Sequence, residues 1–269
     1  MVLNLKIRLF LDFTLVIPTL GRRQDELTEA LKTLSRSDYI CELIFVAPEN
    51  QIRTIREMVR INCPNFEVFY VIENKNSSLP QAINQGMAEI RTGYWNWVGD
   101  DDRVILNEIE TIVSNLSRND RFVLGVGSCK YFSSKSKRAI LNKTTKLAAS
   151  IIFWGPNLVP QPSIVFRTKV VRQLGGVNPK YQLAFDQDLI SKCLRRGKIF
   201  IHNSITSEYR WSVDTLTSSR RTQSLRESQR IRMQHASSSH QKVFIQVMYP
   251  LVVALVRLSD LMFRLRFRK

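Results

Sequence analysis

With 269 residues, 44% of them hydrophobic, the chain can bury a substantial core as one large domain or as one domain plus an appendage. Its four cysteines, Cys41, Cys63, Cys129 and Cys193, lie far apart without a CxxC pair, which argues against a zinc site and a disulfide framework and for a reducing cytosolic setting. The net charge of +17 calls for an anionic partner, whether nucleic acid, a membrane surface or a phosphorylated substrate.

Met1 to Phe13 mixes Lys6, Arg8 and Asp12 among apolar residues and reads as a lead-in to the first strand, not as a signal peptide. Phe13–Ile17 is a β-rich apolar run closed by Pro18. Asp25–Ser35 carries Leu27, Leu31 and Leu34 at helical spacing. Leu43–Ala47 reads as a second buried strand stopped by Pro48, Ile52–Val59 as a helix and Val68–Ile72 as a third strand. Gln81–Arg91 reads as a helix with Gly93 as its C-cap, and Tyr94–Val98 as a fourth strand. Strands alternating with helices at this spacing predict a mostly parallel sheet flanked by helices, with ligands at the carboxyl ends of the strands. The turns Pro18–Arg23, Pro48–Gln51 and Gly99–Asp102 then share one edge. No GxGxxG or Walker-type loop is present, which removes the dinucleotide and P-loop readings.

The fourth strand ends in Gly99-Asp100-Asp101-Asp102. Three adjacent carboxylates repel one another, and closing a buried strand with them serves stability poorly. A divalent cation relieves the repulsion, since hard oxygen ligands suit Mg2+ or Mn2+, and the metal can then carry a diphosphate. Trp95 and Trp97, alternating just before, read as core residues.

Farther on, Val123–Val126 and Ser128–Phe132 suggest strands, and Ser133–Lys146 an exposed loop. Ser163–Phe166 reads as a strand, and Thr168–Leu174 as a helix stopped by Gly175-Gly176. Asp186–Arg196 reads as a helix with its acidic end first, as the helix dipole prefers. Residues 206–269 hold twelve Lys and Arg against four Asp and Glu, together with the most apolar stretch, Val243–Val256. That pairing favours a membrane over nucleic acid. This run of 14 residues, apolar apart from Gln246 and interrupted by Pro250, falls short of the roughly 20 needed to span a bilayer. With the arginines, leucines and phenylalanines that follow, it suits a helix lying in an anionic leaflet.

Taken together, Val16-Ile17-Pro18-Thr19, Leu79-Pro80-Gln81-Ala82-Ile83-Asn84-Gln85-Gly86, Thr92-Gly93-Tyr94, Gly99-Asp100-Asp101-Asp102, Pro162-Ser163-Ile164-Val165-Phe166-Arg167, Leu174-Gly175-Gly176-Val177-Asn178, Asp186-Gln187-Asp188-Leu189 and Tyr209-Arg210-Trp211-Ser212 occur in a specific order. Over roughly residues 13–218 the chain resembles the inverting GT-A glycosyltransferases of family 2 that act in bacterial surface polysaccharide assembly. The resemblance implies a GT-A domain over 1–218; the charge and apolar pattern beyond it read as a basic, helical C-terminal region over 219–269 that associates with a membrane. It implies a nucleotide-sugar donor held by Pro18, Thr19, Arg22, Gln81, Asn84, Asp100 and Arg210. Asp101 and Asp102 would hold Mn2+ or Mg2+. Asp186 would be the catalytic base and Asp188 an acceptor-side residue. The acceptor would be a saccharide, lipid-linked in a membrane-bound setting, at the cytoplasmic face; no nucleic acid partner is expected. Two positions depart from the family pattern. The acid usual at the end of the second strand is replaced by Ala47-Pro48-Glu49, where Glu49 can substitute, and Ser212 stands where many members carry histidine.

Structural readings stand beside these: Asp188 as a first-turn helix carboxylate, Asn84 as a polar helix residue and Gly175-Gly176 as a simple stop. Two other classes remain open. A nucleotidyltransferase also uses strand-end aspartates, with Leu20-Gly21-Arg22-Arg23 as its phosphate loop. A non-catalytic, basic membrane- or nucleic-acid-binding protein on a degenerate fold would suit the charge.

Overall fold

The apolar runs stopped by proline or aspartate become the parallel half of one sheet. The computed structural model describes residues 8–66, 69–75, 78–134, 136–212 and 219–267. Strands β1 (Leu9–Pro18), β2 (Tyr39–Ala47), β3 (Phe69–Glu73) and β4 (Tyr94–Trp97) lie in the order β3-β2-β1-β4, every neighbour parallel. From Cys41 to Ala47 no residue of β2 reaches solvent appreciably, as expected of a strand covered on both faces. Helices α1 (Gln24–Ser35), α2 (Ile52–Asn62) and α3 (Leu79–Glu89) supply the crossovers. Gly86 lets α3 lie directly on the sheet: a Cβ there would come within 2.5 Å of a Val16 methyl.

The second half is mixed. After β5 (Arg103–Val104) and α4 (Leu106–Arg118), the chain forms β6 (Phe122–Ser133), β7 (Ser136–Asn142), α5 (Lys146–Ile151), β8 (Ile164–Arg167), α6 (Thr168–Gln173), α7 (Phe185–Leu194) and β9 (Lys198–Arg210). The sheet continues β4-β8-β6-β9-β5, with β7 on β6. Strand β8 is antiparallel to both β4 and β6, whereas β6 and β9 are parallel. Last come α8 (Arg221–Gln234) and α9 (Ser239–Arg266). Two apolar clusters form the core, one on each face of the sheet; Trp95 and Trp97 are buried in the second, as their alternation implied.

Three expectations change. Helix α3 stops at Glu89, so Gly93 is no C-cap; it donates its N–H to Asp12 (2.8 Å) in a space too tight for a Cβ. The two strands expected in 123–132 are one, β6. The expected loop Ser133–Lys146 contains β7, which pairs with Cys129–Ser133 of β6. Beyond these, Leu225, Glu227, Ile231 and Arg232 of α8 are buried. Val68, the expected start of the third strand, lies outside the described residues.

Candidate active site

Parallel strands β1, β2 and β4 end side by side, and their following loops meet. Thr19 N–H donates to Val46 O (2.9 Å) and Val98 N–H to Val16 O (3.0 Å). Gly21, at φ +69°, packs against the Gln51 side chain in the turn that begins at Glu49. The three loops expected on one edge are on it.

At this edge the aspartates are not equivalent. Asp100 accepts from Thr19 Oγ1 (2.5 Å), whose oxygen in turn accepts from Gly21 N–H (2.9 Å). Asp101 pairs with the Arg23 guanidinium. Asp102 is buried and accepts N–H bonds from Arg210 (3.1 Å) and Gly99 (3.3 Å). Burial raises all three carboxyl pKa values, and Asp102, with Asp101 beside it, is pushed up to about 8. Asp101 and Asp102 converge over the bare α-carbon of Gly99, where a Cβ would lie 2.9 Å from the Asp101 oxygen and 3.3 Å from the Asp102 oxygen.

Asp186 opens α7 at the same edge. Phe185 packs its ring on Trp97 (centroids 6.0 Å), the last residue of β4. The half-buried Asp186 carboxylate accepts from Asn157 Nδ2 (3.1 Å). Burial raises its pKa to about 6, against the opposing pull of its own and Gln187's backbone N–H groups and of Asn157. Tyr131 feels both acidic centres: burial raises its phenol, and the charges of Cys129, Asp102 and Asp186 raise it further. Two acidic centres thus share one strand-end edge, the Asp100–Asp102 carboxylates and Asp186.

A family model described as Glycosyl transferase family 2 matches residues 14–175. The chain belongs to that family. No curated protein matches it. Solved structures match its fold. S. aureus TarS 1-349 in complex with UDP-GlcNAc superposes with a TM-score of 0.65 at 14% identity, over 87% of this chain and 70% of that one. Mannosyltransferase PcManGT from Pyrobaculum calidifontis, in complex with GDP-Man and Mn2+, gives 0.65 at 12%, over 90% and 72%. A longer S. aureus TarS chain gives 0.60 at 15%, and this chain spans 43% of its length. The fold is therefore GT-A, and the protein is a glycosyltransferase.

Not every side chain expected at this glycosyltransferase site faces it. Asn84 is occupied with backbone, donating to Val177 O (2.7 Å) and accepting from Val177 N–H (2.8 Å), so it braces the chain after α6. Asp188 is fully buried and paired with Lys192 (2.6 Å) and His235 (2.9 Å), partners that hold its pKa below the usual carboxylate range despite burial. Its first-turn, structural reading is the one the geometry favours. Gln81 is exposed and accepts from Ser78 Oγ (2.7 Å). Glu49 and Arg22 are exposed on the edge loops, and Pro18 ends β1. The Arg210 guanidinium lies over the Phe132 ring (5.1 Å), and its charge, like that of Arg23, lowers the Asp101 pKa. Sequence reading missed Arg23 and Asn157. Arg23 stood beside the chosen Arg22; Asn157 carried no signal at all, because only the fold brings it to Asp186.

The donor set suits a hard divalent cation. Among the described residues no three His, Cys, Asp or Glu side chains gather as a metal cluster. Two carboxylates over an open glycine match the sparse protein ligation typical of magnesium-type sites, where phosphate and water oxygens complete the shell.

Proposed function

We propose that this glycosyltransferase moves a sugar from a nucleoside diphosphate donor to a hydroxyl of a lipid-linked saccharide, with inversion, in polysaccharide biosynthesis at the cytoplasmic face of the membrane. The observation that carries the reading is the sharing of one strand-end edge by the Asp101–Asp102 pair and the Asn157-bound Asp186.

Asp101 and Asp102 would hold Mn2+ or Mg2+, which supplies charge stabilisation to the departing diphosphate. Thr19 and Asp100 order the first loop, while Arg22, Glu49 and Gln81 are exposed beside it for contacts with the nucleotide. Arg210, close to Asp101, adds positive charge where the diphosphate leaves. Asp186 takes the acceptor hydroxyl proton as that oxygen attacks the anomeric carbon and the bond to the diphosphate oxygen breaks. A pKa near 6 leaves this base ionised at pH 7 yet basic enough to accept a proton. One base and one displacement give inversion.

The lipid-linked acceptor is inferred from α9. Its Phe263 and Phe267 pack on Trp211 and Tyr131 at the rim of the site, while its other side carries exposed apolar residues.

The test is a panel of UDP-, GDP-, dTDP- and CDP-sugars with manganese. One donor should raise the melting temperature and be hydrolysed slowly. Asp186→Asn should keep that thermal shift and lose about 10²-fold or more in turnover, the scale of a missing general base. A fully active Asp186→Asn would sink the base assignment, and pyrophosphate-dependent turnover would favour the nucleotidyltransferase.

A further inference from the structure

The segment leading into α7 is held by a carboxylate from a distant part of the chain. Glu227 of α8 is buried, and one of its oxygens accepts three consecutive backbone N–H groups, those of Gln182 (3.0 Å), Leu183 (2.8 Å) and Ala184 (3.1 Å). Its second oxygen accepts from Gln223 Nε2 (3.1 Å). Ala184 is the N-cap of α7, and Asp186 follows two residues later. Unpaired N–H groups at a helix start attract a carboxylate, and charge-assisted bonds of this kind fix geometry tightly.

The same face of α8 controls the other side of the base. Buried Arg232 donates to Gly155 O (2.9 Å), in the loop that brings Asn157 to Asp186. Ser228 donates to Gln187, whose amide donates to Ile152 O (3.2 Å) and so ties α7 to that loop. Tyr181 Oη donates to Gln234 (2.8 Å), and His235, at the end of α8, meets Asp188. A purely apolar contact would dock two helices at lower desolvation cost. The polar docking instead sets the rotation and height of the first turn of α7.

We infer that Glu227 is a positioning residue for glycosyl transfer: by clamping the 182–184 amides it fixes Asp186 relative to the acceptor hydroxyl. The inference rests on the reading of Asp186 as the base. Displacing a catalytic group by about 1 Å can cost 10²-fold in rate. Glu227→Ala should therefore lower kcat at least tenfold while the donor KM and donor-induced thermal shift stay within about twofold. Glu227→Gln, which retains an acceptor oxygen, should recover most of the rate. Hydrogen exchange of the peptide spanning 181–190 should accelerate in Glu227→Ala and not in Glu227→Gln. If Glu227→Ala fails to fold, Glu227→Asp, which withdraws the carboxylate by one methylene, carries the same expectations. Because Glu227 acts through Asp186, the alanine change should cost less than twofold in an Asp186→Asn background. An equal loss in that background, or a donor KM that rises as kcat falls, overturns the inference. Unchanged kcat in Glu227→Ala beside a crippled Asp186→Asn sinks Glu227 alone. Full activity of Asp186→Asn sinks the base reading itself.

Discussion

Asp186 and Asp188 share the first turn of α7 and have opposite environments. Asp188, with Lys192 and His235 against it, is kept ionised and structural; Asp186 faces the site with one neutral partner, Asn157, and its pKa rises to about 6. The sequence shows two acids on one helix but not which way each points, and the same holds for Asn84, whose amide turns to Val177. Asp101 was legible because a carboxylate triplet ending a buried run is hard to explain by stability. Asn157 and Glu227 were not, because their roles depend on partners 29 and more than 40 residues away. The Asn157 hydrogen bond favours the ionised form of Asp186, so its removal must raise that pKa further. We expect kcat to fall as pH drops through about 6 in the parent. In Asn157→Ala this acid limb should move up by about one pH unit, the scale of one such bond. A limb that stays put or moves down would show that Asp186 does not set it.

Elements with a strong apolar period were easy to read, and those whose burial is partial or polar were not. Strands β1, β2 and β4 are apolar runs with hard stops, and α1 shows its leucines at helical spacing. Strand β9 mixes half-buried and polar residues over thirteen positions, β7 pairs with β6 at the side of the sheet path, and α8 docks through glutamate and arginine; none offers a clean period. The stop after α6 was legible as two glycines, but they do different work. Both adopt positive φ, +79° at Gly175 and +78° at Gly176. A Cβ on Gly175 meets open space, whereas on Gly176 it would sit 2.6 Å from Asn84 Oδ1, the oxygen that accepts Val177 N–H. Gly175→Ala should therefore cost about 1–2 kcal/mol in urea unfolding, the left-handed strain alone. Gly176→Ala should cost more, by about the 1 kcal/mol of a disturbed hydrogen bond. Equal costs would mean that Asn84 is free to move aside.

Across the molecule, exposed apolar surface gathers on the last helix, where four cations, Lys242, Arg257, Arg264 and Arg266, stand against one carboxylate, Asp260. The sequence marks a 14-residue, mostly apolar run there; α9 is 28 residues long and sufficient in length and composition to cross a membrane. Its contacts favour lying along the surface instead. Ile245, Val252 and Phe267 are buried, Phe244 packs on Trp154, Asp260 pairs with Arg221, and Phe263 reaches Tyr131. Val247, Leu251, Leu255, Leu258, Met262 and Leu265 follow each other at three- and four-residue steps on the outer side, roughly half exposed or more. Exposed Lys242, Arg257, Arg264 and Arg266 suit anionic head groups. Truncating α9 would also strip the aromatic packing from the site rim, so changing the outer stripe alone is the cleaner test. Each leucine-sized side chain is worth about 1.5–3 kcal/mol when fully buried. Val247, Leu251, Leu255 and Leu258 changed together to serine should therefore weaken binding to anionic vesicles at least about tenfold, with donor-induced thermal shifts unchanged. Parent binding should also weaken with salt and be poorer on neutral vesicles. Undiminished vesicle binding by the serine variant would refute the membrane role of the stripe. Loss of a dimer in sedimentation, with vesicle binding absent from the parent, would assign it to a second copy of the chain.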